Sequence, residues 1–265
     1  MKPRNLLLLV LTSQVALLCA AIALSQAASR PNNPTKDIRL LTLQVKSDKS
    51  SYLPGELITL HFRISNDSKE AVLLPKAIDV WSGHLQVFIS DETNDYKRYE
   101  GPRWGLADVM RVSAGKLAPG DSFKTTATVL HNHRLETSHL NENYAARISK
   151  GLIRTEYVLP EPGLYFIKAV LIDDALQNKI ESEPFRVVIE EPAGVDLEVW
   201  KKIKDDGNYA YFIQTGGLVE HPNGPMTKRV VATLEEIENS QPNSRYFGQI
   251  RVALAKRRAS LEKNK

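Results

Sequence analysis

His131 and His133 sit two residues apart, and His139 follows six residues later. On an extended segment, side chains at i and i+2 point the same way, so the first two imidazoles can share one ligand. Such a trio could hold zinc or copper and activate a water for hydrolysis. No acidic partner to orient these imidazoles is evident along the chain. The spacing therefore suits a polar loop better, with a metal-dependent hydrolase on His131, His133 and His139 kept as an alternative.

Other acids and aromatics are less specific. Asp173-Asp174 ends an apolar run, and Asp91-Glu92 with Asn94 and Asp95 follows another. Neither matches the ligand spacing of a defined calcium loop, and both read as solvated turns. Glycine-flanked serine nucleophiles, paired zinc-binding histidines on a helix, phosphate-cradling loops and dinucleotide fingerprints are all missing. We therefore expect no catalytic residues, no cofactor and no enzyme activity. Tyr96, Arg98, Tyr99, Arg103 and Trp104 form the densest group of aromatic and arginine side chains. These are the types that protein interfaces favour, so this segment is the candidate binding surface. Filling the core or covering a sheet edge is the competing role for the same rings.

The elements that position these residues read as mainly β. Ile58, Leu60, Phe62 and Ile64 alternate with Thr59, His61 and Arg63, the pattern of a half-buried strand. Further strands are expected at Ile38–Val45, Ala71–Leu74, Leu85–Ser90, Ser122–Leu130, Leu164–Ile172 and Phe185–Glu190. Proline-glycine pairs at 54–55, 119–120 and 162–163 each precede a strand and suit type II turns. No long amphipathic helix interrupts the series. An antiparallel sandwich over 37–192 follows. His131–Val158 breaks the rhythm and reads as a long polar insertion with a short helix near Glu142–Ile148.

Beyond Pro192 the period changes. Leu197, Trp200 and Ile203 suggest a short helix, and Gly207 to Pro225 a loop-rich connection. Val230, Val231, Leu234 and Ile237 form a helical stripe with Thr227 as its expected N-cap. Phe247, Ile250, Leu254 and Leu261 line a last helix. The region 193–265 is thus expected to be helical and to end in an αα-hairpin packed on the sandwich or on a partner.

Glu161-Pro162-Gly163-Leu164-Tyr165-Phe166-Ile167 resembles the tyrosine corner of immunoglobulin-like domains. Glu161, Gly163 and Tyr165 fall on its matching positions, and Ile167 replaces the cysteine. The run Tyr52–Ile58, followed by Ile64-Ser65-Asn66, looks like the first two strands of exported bacterial immunoglobulin-like and fibronectin-III-like modules. The resemblance implies an immunoglobulin-like antiparallel β-sandwich followed by a small helical C-terminal region. The cysteine pair of that family is missing, and Trp81 is the candidate for its core tryptophan. A second, narrower similarity is to the bacterial proteinase-inhibitor sandwich. Asn66-Asp67-Ser68, Pro119-Gly120-Asp121 and Pro162-Gly163-Leu164-Tyr165 carry it, and inhibition is the activity it implies. Gln241–Phe247 resembles the helix starts of α-hairpins in other exported bacterial proteins, where the role is packing or protein contact.

The N-terminus bounds the compartment. Lys2 to Asn5 form a basic head, an apolar run extends from Leu6 to Leu24, and Ser25-Gln26-Ala27 supplies small residues for cleavage. This is the three-part signal-peptide pattern, so 1–27 is expected to be removed, leaving 28–36 as a flexible lead-in. An uncleaved membrane anchor is the alternative. A periplasmic or extracellular location follows. Cys19, the single cysteine, falls inside the signal. The mature chain then has no disulfide or cysteine nucleophile.

The formal net charge of +4 includes Lys2 and Arg4, so the mature chain is only weakly basic. Export and this charge disfavour nucleic acid as a partner. The basic C-terminal stretch from Arg245 to Lys265 allows peripheral contact with an anionic membrane. Together these features point to an exported, non-enzymatic binding or structural module whose partner is a protein or a component of the cell envelope.

Overall fold

The computed structural model describes residues 34–75, 78–80, 83–101, 115–135, 153–218 and 224–263. Among these, two antiparallel sheets face each other. The first has order β1 (Leu41–Ser47), β3 (Ile58–Asn66) and β8 (Ser122–Val129). The second runs β2 (Ser51–Tyr52), β13 (Phe185–Ile189), β11 (Gly163–Ile172), β5 (Leu85–Ser90) and β6 (Lys97–Arg98). A short strand, β12 (Lys179–Glu181), also pairs with β11. Two strands, β4 (Val72–Leu73) and β7 (Lys116–Leu117), pair outside both sheets. Apart from the parallel contact of β2 with β13, every ladder between these strands is antiparallel. This is the antiparallel β-sandwich expected from the strand pattern.

Period-two alternation builds the core directly. Leu43 and Val45, Leu60, Phe62 and Ile64 point inward from the first sheet. Leu85 and Val87, Ile167, Ala169 and Leu171, and Val187 meet them from the second. Burial of each large aliphatic side chain contributes about 1.5–3 kcal/mol.

The proline-glycine turns divide into two kinds. Gly55 (φ 75°) and Gly120 (φ 83°) take the left-handed conformation that a type II turn requires at its third residue. Glu56 N and Asp121 N close these turns onto Leu53 and Ala118 carbonyls, at 3.0 and 3.1 Å. Gly163 differs from expectation: with φ 157° it already opens strand β11.

The segment 131–158 also needs correction. Its ends are not irregular. β9 (His131–Leu135) and β10 (Ile153–Tyr157) form an antiparallel ladder, with His131 opposite Tyr157. The expected helix near 142–148 lies outside the described residues, as does Trp81.

Among the described residues, four helices follow: α1 (Gly194–Ile203), α2 (Gly207–Thr215), α3 (Pro225–Ser240) and α4 (Phe247–Lys263). Helix α2 replaces part of the expected loop. Its flanking polar and glycine residues are caps rather than breakers. Asp206 accepts from Asn208 N at 2.9 Å, and Gly216 ends the helix at φ 83°. Thr227 is not the N-cap of α3. Pro225 occupies the first turn, where a missing N–H costs nothing, Gly224 caps it, and Thr227 is buried. Leu261 is exposed rather than part of the packed stripe.

The helices have a second core of their own. Trp200 and Ile203, Phe212 and Ile213, Leu234 and Ile237, and Ile250 and Leu254 meet there. Leu53, Leu130 and Tyr157 enter it from the β part. Trp200 lies edge-on to Tyr157 at 4.9 Å and stacks near Tyr246 at 6.5 Å. The helical region is thus keyed into one end of the sandwich.

Candidate binding site

Strand β5 ends at Ser90, and the chain turns back through Asp91–Asp95 into β6. Thr93 N donates to Asp91 Oδ1 at 2.9 Å, and Asn94 takes φ 60°. Asparagine tolerates this conformation better than most residues. The Thr93 hydroxyl and then its amide hold the Asp91 carboxyl below its usual range, so Asp91 is a fixed negative charge at neutral pH.

The expected aromatic surface divides at this point. Tyr96 is half-buried with Lys168 Nζ 4.8 Å above its ring, and Lys168 also bonds Glu181 at 2.8 Å. Arg98 is exposed and lies 3.9 Å from Glu100. Tyr99, by contrast, is 4% exposed and belongs to the sandwich core, which corrects its assignment to a binding surface. Tyr99 N donates to Val87 O, which turns the ring inward. Burial raises its phenol pKa well above the ordinary value. Arg103 and Trp104 lie outside the described residues.

Gln214 of α2 organises the buried side of this region. Its Nε2 donates to the Tyr99 hydroxyl at 2.9 Å and to Thr128 O at 2.7 Å. Its Oε1 accepts from His131 N at 3.0 Å. One side chain thus joins a helix, the start of β9, the end of β8 and the segment after β6. Sequence reading missed it, because a glutamine within a helix carries no local sign of partners this distant.

His131 is fully buried, edge-on to Tyr211 with ring centroids 4.9 Å apart. His133 pairs across the ladder with Thr155, and His139 lies outside the described residues. Among the described residues, no three histidine, cysteine or acidic side chains are placed to hold a metal ion.

The two segments singled out from sequence meet. Glu100 N donates to Asn132 Oδ1 at 2.9 Å, stitching the chain after β6 to β9. Between the β5–β6 turn, the β9–β10 ladder and the start of β11 lies an open cavity of about 230 Å³. Asp91, Asp95, Lys97 and Arg98 line it from one side, and Asn132 and Glu156 from another. Tyr165 closes the third side, its hydroxyl donating to Glu161 O at 3.0 Å. Burial first, then the charges of Glu161 and Asp91, raise the Tyr165 pKa. Of the corner residues, Tyr165 forms one wall of the cavity, Glu161 holds its hydroxyl, and Gly163 opens the strand that carries it. With acids on two sides and two cations beside them, the cavity suits a polar ligand carrying charge.

The C-terminal basic stretch is partly neutralised. Arg245 bonds Glu56 and Glu190 at 2.9 and 2.8 Å, and Arg258 bonds Glu238 at 3.1 Å. Among the described residues, no helix is long and apolar enough to cross a membrane.

No protein family matches this sequence, and no curated protein matches it either. Solved structures give distant likenesses. A β-glucosidase from Erythrobacter marinus is 14% identical over 57% of this chain and 15% of its own, with a TM-score of 0.29. A sporulation control protein from Bacillus subtilis is 10% identical over 62% of this chain, with a TM-score of 0.30. The match spans about half of that protein, 54% of its length. The CARDB domain of a Pyrococcus furiosus protein, solved with two metal ions, is 13% identical over 57% of this chain and 87% of its own. Its TM-score is 0.27. At these scores none of the three carries an argument about activity.

Proposed function

We propose that this chain is a non-enzymatic binding module, exported to the periplasm or beyond the cell, that engages a protein or cell-envelope component. The contact surface in this reading is the cavity between the β5–β6 turn and the β9–β10 ladder. The observation that carries it is the bond from Glu100 N to Asn132 Oδ1. It makes one concave wall from two segments that are separate in sequence. An immunoglobulin-like sandwich hosts many unrelated functions, so the reading rests on this surface and not on the fold. Loops held by a rigid sandwich are where such modules present their contacts. The mixed charge of the walls favours a partner loop that brings a cation toward Asp91, Asp95 and Glu156.

The test is affinity capture from envelope extract with the mature chain and with an Asp95→Lys/Glu156→Lys variant. A defined partner retained by the first and lost by the second is the expected outcome. Equal capture by both chains, or capture by neither, would sink the reading.

A further inference from the structure

A different face carries a second site. On the outer surface of the β1–β3–β8 sheet, Gln44 lies opposite Arg63, and Arg63 opposite Lys124. One step along, Lys46 lies opposite His61, and His61 opposite Thr126. These two rows share a face because side chains repeat every second residue, about 6.6 Å apart, on strands about 4.8 Å apart. Lys46, Arg63 and Lys124 are exposed and His61 is half-buried. None of the four makes an ion pair among the described residues. Of the acids at the margins, Glu183 is exposed at one end of the groove over this face, and Asp48 and Asp67 are held by neutral donors. Asp48 accepts from the Tyr52 hydroxyl and from Thr59 N, and Asp67 accepts from the Thr42 hydroxyl.

The face is also hollow. A groove of about 1190 Å³ lies over these rows and reaches Glu183 and Pro184, just before β13, and Phe185, its first residue. Like charges brought together without counter-ions cost folding energy, and a bound anion would relieve that cost. We propose that this groove binds a linear acidic polysaccharide. Three cations in two rows, Lys46, Arg63 and Lys124, complement a repeating negative charge rather than a single ion. The groups interleaved with them are hydroxyls and one amide: Thr42, Gln44, Ser65, Ser122 and Thr126. These can bond sugar hydroxyls between the charges. The two rows themselves carry no aliphatic or aromatic side chain, and Pro184 and Phe185 lie only where the groove meets β13, too little apolar surface to anchor in a bilayer.

The experiment measures retention of the mature chain on immobilised polygalacturonate at about 0.15 M salt, with neutral dextran as reference. Binding to the acidic polymer, absent on dextran, is expected. Arg63→Glu/Lys124→Glu should weaken it about tenfold or more. Lys201→Glu/Lys228→Glu, an equal charge change on the helices, should leave it intact. Should the first variant fail to fold, Arg63→Gln/Lys124→Gln replaces it, with at least a several-fold loss expected. Equal loss in the helical variant would overturn the site, as would no binding by the unaltered chain. Tighter binding to phosphatidylglycerol vesicles than to the polymer would overturn the occupant. The Asp95→Lys/Glu156→Lys variant should bind the polymer unimpaired, so this site and the cavity near Asn132 fail independently.

Discussion

Arg245 reaches the Glu56 carboxylate at 2.9 Å across 189 residues of chain. Glu56 is buried in the first proline-glycine turn, and Arg245 sits between α3 and α4. Lys49 pairs with the same carboxylate, and Leu53 N donates to it at 2.9 Å. The Tyr246 hydroxyl donates to Pro54 O, and Gln249 bonds both Gly55 O and Leu57 N. One turn of the sandwich is thus gripped by the residues that begin the last helix. Replacing Glu56 by Ala removes the partner of Lys49, leaves Arg245 with Glu190 alone, and strands the buried Leu53 amide. Both cations keep some solvent, so we expect a loss of about 1–3 kcal/mol rather than the full cost of a buried ion pair. Arg245→Ala should cost less, because Lys49 still neutralises Glu56. Urea unfolding of both variants checks the order.

Gly55 tests the same junction sterically. A Cβ added there would lie 2.4 Å from the Trp200 ring, on a residue with φ 75°. Gly120 has nearly the same φ with nothing within 4 Å of an added Cβ. Gly120→Ala therefore measures backbone strain alone, about 1 kcal/mol. Gly55→Ala should lose clearly more, with the excess reduced in a Trp200→Leu background. Thermal melts of the four variants give the comparison. Equal losses at the two glycines would show that the ring yields freely.

The strands were legible because burial imposes a period of two. The alternation from Ile58 to Ile64 reappears as a row of buried and solvent-facing side chains in β3. Tyr96 and Tyr99 were not separable in this way. The strand between them is two residues long, and the turn at Asp91–Asp95 resets the alternation before it. Helix α2 was hidden for another reason. Gly207 and Gly216 look like breaks in a linear reading, whereas a cap is recognised only once Tyr209, Phe212 and Ile213 are seen to share a buried face. The ladder of β9 with β10 depends on pairing across the intervening chain, and no local pattern specifies it.

Charge sets the pH limits. Arg39 holds the Asp37 carboxyl down to about 2, the Lys168 bond lowers Glu181, and the Arg245 bond lowers Glu190. Carboxyls whose folded pKa is lowered stabilise fully above the ordinary carboxylate range. Their contribution disappears as pH falls through that range toward 2. At the other limit, burial raises the phenol pKa of Tyr99, Tyr157 and Tyr246 above the ordinary value near 10.0. Raised groups stabilise below the unfolded pKa, and that contribution is lost as pH climbs beyond it. Stability should therefore be flat through neutral pH and fall at both extremes. Phenolate absorbance should show these tyrosines ionising together with unfolding rather than before it.

Gln214 makes the most consequential single side-chain prediction, because it satisfies three groups at once. Replacing it with Leu keeps the approximate volume but removes the acceptor for His131 N and the donor to Thr128 O and the Tyr99 hydroxyl. These partners are shielded from water, so each left without a bond costs about 1–3 kcal/mol, with some recovered by local rearrangement. A net loss of about 2–4 kcal/mol is expected. Its location should be specific. The His131 amide should exchange with solvent faster, and the β9–β10 ladder that starts there should loosen before the sandwich core does. Because Asn132 follows His131 and receives Glu100 N, the wall of the cavity should loosen with it. Hydrogen exchange of Gln214→Leu, compared with Thr215→Val one residue along the same helix, separates this effect from general weakening of α2. Uniform acceleration across both cores would instead mean that Gln214 holds the whole fold together rather than one side of the site.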